Sequence, residues 1–493
     1  MRAGIDSVDT APGAGKTRPW TDDLKICPST GVGEATNQAY REDGSRFEAY
    51  KSRDKKCLCI VDDTLLYAIY SGHNGVRVSD FALQKMAADL LLGQLNGRTT
   101  DEAVKDVIRQ AFHSVEKGYF DSIDTDVATK TALQLQLSAD GLSQYQISQE
   151  FGNVLEKLGK INVELSVGSS AVLALIYQSK LYIGNIGNCR ALLCKTDEFE
   201  TLTVTQLSVD HNLYNEEEVL RLYRLGIEAQ NFENCPLYST RCIGNYLGKT
   251  GYKDCDFLSV ACSEPVIFQP EIVGSIPITG SCKFLVLMSS GLCRAIHDLY
   301  PGDTSKGNRI LIQMIAEEFQ TQSTLAGVAQ SVVHRIVQLH HDAFMQQVAE
   351  EGGTPANRQK QMTFRNRDDI TLLIRNFNYP LPNAFNNRKN SSRSQSSGTV
   401  ASSPTSPSST ATGSDATPTN THSYQHSYAG TDTELSGLGT NVSVSSSERH
   451  DHDHAAPEQQ ERKVKPYVDF SDYHRRVAEA RKLNKLPPGI DFD

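Results

Sequence analysis

The sequence predicts an α+β domain of two stacked, mainly antiparallel sheets flanked by helices, followed by a tail too polar to pack a core. Three observations carry this. Apolar runs of strand length occur in hairpin-like succession. Separate stretches carry the three-and-four spacing of a helix face. Both patterns stop near Asn383. Strands joined by tight turns, with the helices kept apart from them, make layered sheets with helices outside. A domain of about 360 residues is large for one core, and two stacked sheets accommodate it.

Residues 1–19 lack apolar periodicity and read as a flexible N-terminus. Trp20, the only tryptophan, and Leu24 mark the entry to the domain, Trp20 as a packing anchor. Cys57–Ile60 and Leu65–Tyr70 read as strands around an Asp62-Asp63-Thr64 turn. Val78, Phe81, Ala82, Met86, Leu90 and Leu91 then share a helix face, and 101–120 repeats the pattern with Thr100 as cap. Residues 137–150 are polar and read as loop; Phe151–Ile161 reads as helix. Ser170–Tyr177, Lys180–Asn185 and Arg190–Lys195 are β-like, with Asn188 offering a turn and Thr203–Gln206 an extension of the sheet. Glu216–Leu225 is helical and stops at Gly226. Phe284–Ser289 reads as a buried strand, 309–320 and 324–349 as helices, and Ile370–Arg375 as the closing strand. The folded domain is expected to span residues 20–380.

Residues 381–463 are expected to be a disordered Ser/Thr-rich linker, because their few apolar side chains cannot offset the entropy of ordering. Ser403, Ser406 and Thr417 each precede proline and are candidate phosphorylation sites, although such dipeptides also arise from composition alone. His450–His454 reads as solvated linker rather than a metal site. From Val464 order returns. Phe470, Tyr473, Val477 and Ala480 form a stripe, Asp469 offers a cap, and Pro487-Pro488 stops the helix, so 464–486 is expected to be helical and 487–493 a flexible end. An isolated helix of this length is marginal in water. Its stripe needs cover, from a partner groove or from its own domain.

The net charge of −10 gives no footing for a nucleic-acid groove. Eleven cysteines, scattered between Cys27 and Cys293 without a Cys-x-x-Cys spacing, fit reduced thiols and a cytoplasmic setting. No apolar run reaches membrane-span length, and the N-terminus has no secretory pattern.

Six motifs follow in order: Gly33-Glu34-Ala35-Thr36-Asn37-Gln38-Ala39; Tyr70-Ser71-Gly72-His73-Asn74-Gly75; Gly168-Ser169-Ser170-Ala171-Val172; Asn185-Ile186-Gly187-Asn188-Cys189-Arg190-Ala191; Met288-Ser289-Ser290-Gly291-Leu292; and Arg367-Asp368-Asp369-Ile370-Thr371. Together they resemble the metal-dependent protein serine/threonine phosphatases, the PP2C or PPM family. The resemblance implies a PP2C-like α-β-β-α sandwich. It also implies a reaction in which two metal ions activate water and clamp phosphoryl oxygens. Hard divalent ions need oxygen ligands, chiefly carboxylates.

Position by position, this chain departs from that set. Glu34 stands where the family places a phosphate-binding arginine, and Gln38 and Ala39 where it places an acidic pair. Ser71 replaces the bridging aspartate, Gly72 keeps only a backbone carbonyl, and Ser290 replaces a further aspartate. Asn188 and Asn245 also stand at aspartate positions. Asp368 is kept, and Asp369 takes an asparagine position. The pair reads as a single weak cation site or as solvent-facing carboxylates. His73 matches the family's general acid, but without a metal-bound nucleophile packing suits it better. The implied protein is a pseudophosphatase with no cofactor.

A phosphatase-like domain, a Ser/Thr-rich linker and Pro466-Tyr467-Val468-Asp469-Phe470 together resemble an inactive branch of the family that activates a MAP kinase kinase kinase. The resemblance implies that Tyr467, Val468, Phe470 and Tyr473 bind the catalytic domain of a TGF-beta-activated MAP3K and promote its autophosphorylation. It further implies a stress-activated MAP kinase and an inhibitor-of-apoptosis protein as partners. Two other functions compete: a divergent metal-dependent phosphatase, and a module that binds phosphoproteins without hydrolysis.

Overall fold

Side-chain alternation along the central strands divides the interior into three apolar layers. In the strand Thr64–His73, Leu66, Ala68 and Tyr70 face one way, while Tyr67 and Ile69 face the other. Successive strand residues point to opposite faces, so each strand serves two cores. The computed structural model describes residues 20–41, 45–137, 151–227, 237–350 and 364–382. All fall in one compact unit; residues 384–463, the other unit, lie outside the description.

The strands are β1 (Lys25–Ile26), β2 (Thr30–Ala35), β3 (Gln38–Tyr40), β4 (Arg46–Phe47), β5 (Asp54–Val61), β6 (Thr64–His73), β7 (Gly168–Tyr177), β8 (Lys180–Ile186), β9 (Arg190–Thr196), β10 (Leu202–Gln206), β11 (Ile243–Gly244), β12 (Glu271–Pro277), β13 (Cys282–Met288), β14 (Asn366–Arg367) and β15 (Ile370–Asn376). The helices are α1 (Arg77–Leu91), α2 (Asp101–Ser122), α3 (Asp124–Leu137), α4 (Gly152–Leu165), α5 (Glu216–Arg224), α6 (Asp256–Ser259), α7 (Ser290–Leu299), α8 (Thr304–Thr321) and α9 (Leu325–Glu350).

One sheet runs β1-β5-β6-β7-β8-β12, with β11 also on β7; the other runs β10-β9-β13-β15-β2; β14-β3-β4 form a small third sheet. The pairings within these sheets are antiparallel. Helices α1 and α2 cover the outer face of the first sheet through Met86, Ile108 and Phe112. Helices α7, α8 and α9 cover the second through Leu292, Ile315 and Val332. Between the sheets, Tyr67, Val172 and Ile183 meet Leu193, Leu285 and Leu373. The result is an α-β-β-α sandwich, the architecture that the resemblance implied.

The expected strands and helices from 57 to 375 are present within a few residues, and Thr100 caps α2 by accepting from the Ala103 amide. Trp20 and Leu24 pack against the helix-covered core of the first sheet. Asn188 does not join a hairpin: β8 and β9 lie in different sheets, so its turn carries the chain from one layer to the other. Not anticipated by the apolar pattern are the strands β1–β4, β11, β12 and β14 and the helices α3, α6 and α7. Strand β2 is informative. Its Gly31 and Gly33 lie so close to α9 that a Cβ would sit 2.1 Å from the Leu325 carbonyl oxygen and 2.3 Å from that of Ala329. Glycine is needed there for close approach, yet it gives no apolar signal.

Candidate functional site

The β5–β6 register sets Asp54 opposite Ser71, at the end of the first sheet. Ser290 opens α7, and Thr371 lies on β15 of the second sheet. The Ser290 hydroxyl donates to Ser71 Oγ at 2.7 Å, and Ser71 donates to Asp54 Oδ1 at 2.7 Å. Thr371 Oγ1 donates to the other Asp54 oxygen at 2.9 Å. Two sheets and a helix are thus tied by one run of side chains ending on a carboxylate. Burial raises the Asp54 pKa to about 7; the Ser71 and Thr371 hydrogen bonds oppose the rise and the neighbouring Asp369 charge adds to it.

The local backbone explains why α7 starts here. Ser289 Oγ accepts from the Leu292 amide and, at 2.9 Å, from the Thr371 amide, capping the helix and pinning it to β15. A Cβ at Gly291 would stand 2.1 Å from the Asp369 carbonyl oxygen. Glycine at this position therefore sets how close α7 comes to the β14–β15 turn.

Asp368 and Asp369 diverge. Asp369 is buried, correcting the expectation that the pair faces solvent. Its Oδ1 accepts from the Asn37 amide at 2.8 Å and from Asn37 Nδ2 at 3.0 Å, and its Oδ2 accepts from the Arg53 amide at 2.9 Å. Asp368 is half-buried: it accepts from the Tyr50 hydroxyl at 3.0 Å and lies 3.3 Å from the Arg294 guanidinium. Both carboxylates already serve hydrogen bonds that tie loops together.

Gln38 and Ala39 sit on the small third sheet, opposite Arg367 and Asn366. The Gln38 amide donates to the Tyr40 hydroxyl, which bonds His341 on α9 at 2.7 Å. Ala39 is buried. Glu34 pairs with Lys56. His73 is buried and stacks on Tyr238 with ring centroids 5.3 Å apart. Burial, then the positive charges of Lys249 and Arg53, lowers its pKa to about 4, so it is neutral at neutral pH. The Gly72 amide donates to the Arg53 carbonyl at 3.3 Å.

The structure thus brings Ser71 and Ser290 into direct contact and sets Asp369 near Asp54, while the hydrogen bonding of Gln38 runs toward α9. Sequence reasoning missed Asp54, Thr371, Tyr50 and Asn37. Asp54 could have been found by counting back from the Asp62-Asp63 turn, which pairs it with Ser71. Tyr467, Val468, Phe470, Tyr473, Ser403, Ser406 and Thr417 lie outside the described residues.

A binuclear magnesium or manganese centre does not fit this donor set. Such ions take several carboxylate oxygens, whereas Ser71 and Ser290, two positions at which the resemblance calls for carboxylates, carry hydroxyls: Ser290 is bonded to Ser71, and Ser71 to Asp54. Among the described residues, no group of three or more His, Cys, Asp or Glu side chains is arranged to hold a metal ion, and no helix is long and apolar enough to cross a membrane. The ten described cysteines are unbridged.

The protein-family model for Protein phosphatase 2C matches residues 120–299. The chain is 23% identical over 291 residues to TGF-beta-activated kinase 1 and MAP3K7-binding protein 1 of Caenorhabditis elegans, covering 58% of this chain and 68% of the relative. It is 25% identical over 242 residues to Protein phosphatase 2C 1 of Paramecium tetraurelia, covering 48% of this chain and 66% of the relative. A solved serine-threonine phosphatase 2C from Toxoplasma gondii aligns at 13% identity with a TM-score of 0.40, over 70% of this chain and 93% of that one. The chain spans about two thirds of the length of the first two relatives. Over the matched spans it is similar both to a protein named for kinase binding and to a protein phosphatase 2C.

Proposed function

We propose that this chain is a pseudophosphatase that works as a non-catalytic activator of a MAP3K of the TGF-beta-activated type. The observation that supports it best is the 2.7 Å hydrogen bond between Ser290 and Ser71. It joins two positions at which the family resemblance calls for metal-binding carboxylates. The likeness to a protein named for kinase binding supplies the direction of the proposal.

The working end is residues 464–486, beyond a linker of 381–463. Tyr467, Val468, Phe470 and Tyr473 enter an apolar groove on the kinase catalytic domain. Aromatic anchors concentrate binding energy in such grooves. To activate, the segment must bind the active arrangement of the kinase better than the inactive one, which shifts the population toward autophosphorylation. The folded domain docks regulators, an inhibitor-of-apoptosis protein among them. The linker engages a stress-activated MAP kinase and carries Ser403, Ser406 and Thr417 as modification sites. The setting is the cytoplasm.

Reconstitution with the kinase catalytic domain tests this reading. The full chain should bind it and raise activation-loop autophosphorylation. A chain truncated before Val464, and the Tyr467→Ala/Phe470→Ala variant, should do neither. Equal binding and equal activation by all three would reject the terminal-segment mechanism. The second reading, a divergent phosphatase, is favoured by the phosphatase relatives. It requires metal-dependent turnover that disappears when Asp368 is changed.

A further inference from the structure

Helix α5 buries Leu222 and Glu218 and turns Leu220 and Tyr223, 48% and 63% exposed, to solvent. With Leu213, Tyr214 and Val219 they line an apolar groove of about 310 Å³. The Tyr214 ring lies against the His297 ring of α7, 4.7 Å between centroids. The rim is acidic. Glu216 lines the groove, and Glu217 lies beside it in the first turn. Neither has an ion-pair partner among the described residues, whereas Glu218 is committed to Arg221 and Arg241. An exposed aromatic groove with an acidic edge fits a basic segment bearing aromatic side chains.

The chain contains such a segment. Residues 464–486 hold six Lys or Arg against three Asp or Glu, in a chain whose net charge is −10, and carry Tyr467, Phe470 and Tyr473. It is joined to Pro382 through 81 residues, and a random chain of that length spans about 50 Å r.m.s.. Tethering at that length gives an effective concentration of about 1 mM, so even a weak contact would be mostly closed.

We infer that, without a kinase, the 464–486 segment docks in the α5 groove of its own chain, its aromatic side chains against Leu220 and Tyr223 and its basic ones against Glu216 and Glu217. The docked segment is withheld from its partner, and kinase binding must compete it away. This rests on the proposed function only for what the segment does once released.

Hydrogen exchange of the full-length chain, alone and at low concentration, tests it. Amides of 464–486 should exchange about tenfold more slowly than those of an open chain. That protection should disappear in Leu220→Glu/Tyr223→Glu, which alters only exposed positions, and equally in Tyr467→Ala/Phe470→Ala. The groove variant should then bind the kinase catalytic domain about tenfold more tightly than the native chain. Open-chain exchange in the native protein, or protection that survives the groove glutamates, would overturn the inference. So would protection lost on dilution, which would place the segment on a second copy. If protection behaves as expected but no kinase binds, the docking stands and the proposed function fails. If the kinase binds but the segment is unprotected, the reverse holds.

Discussion

Two of the contacts that hold the second sheet to its surroundings work in opposite ways. Where β2 meets α9, backbone lies on backbone: Gly31 and Gly33 leave no room for a single carbon. Where the sheets meet at Asp54, Ser71, Ser290 and Thr371, side chains span the gap through hydrogen bonds of 2.7–2.9 Å. The first contact is fixed by sterics and cannot change without moving a helix. The second is set by side-chain chemistry, so carboxylates can give way to hydroxyls while the strands stay in register. The layering of sheets and helices can therefore persist whatever side chains those four positions carry.

The sharpest way to break the comparison is Gly33→Ala. Its Cβ would press on the Ala329 carbonyl of α9, and a loss of about 2–3 kcal/mol in denaturant unfolding is expected. A neutral result would mean that α9 yields, and that the β2 contact is no stiffer than the polar one.

Restoring carboxylates sharpens the other half. Ser71→Asp with Ser290→Asp would crowd two negative charges beside Asp54. In chelator-treated buffer this double variant should lose about 1–2 kcal/mol. Millimolar manganese should recover much of that, while the native chain should show no manganese-dependent shift in Tm.

Asp54→Asn probes the cluster more gently. Burial raises the native carboxyl to about pH 7, above its usual value of 3.8. The folded state thus holds this proton to a higher pH than the unfolded chain does. The resulting stabilisation is complete below the unfolded pKa and is lost as pH rises to about 7. Urea midpoints between pH 4 and 8 should fall less steeply in Asp54→Asn than in the native chain. Glu116 is also raised by burial, so the difference between the two proteins, not the native slope, reports Asp54. Parallel slopes would show that Asp54 is not held as described.

The smallest expected effect on either contact belongs to Tyr467→Ala/Phe470→Ala. It touches neither, so the unfolding free energy should fall by no more than the tenfold docking it removes, about 1.4 kcal/mol.

Much of the fold was legible because its central strands carry unbroken apolar runs and its long helices an apolar period of 3.6. The β5–β6 hairpin, β7, β13, α2 and α9 are of this kind. Strand β2 was not, because Thr30-Gly31-Val32-Gly33 owes its place to absent side chains. Helix α3 was hidden because only Lys130 and Leu133 of it are buried. At the site, Ser71 and Ser290 stood out as gaps in familiar motifs. Asp54 and Thr371 did not, since their partners lie 17 and 317 residues away and are brought together by sheet register. Sequence also placed Asp368 and Asp369 together, whereas folding buries one and leaves the other half-exposed.

The central claim, that hydroxyls and a shared carboxylate replace a metal centre here, is tested most directly by phosphate release from a phosphoserine or phosphothreonine peptide during a manganese titration of the full-length chain. The account predicts release at the no-enzyme rate at every manganese concentration. Saturable, manganese-dependent release that is abolished by Asp368→Asn would contradict it.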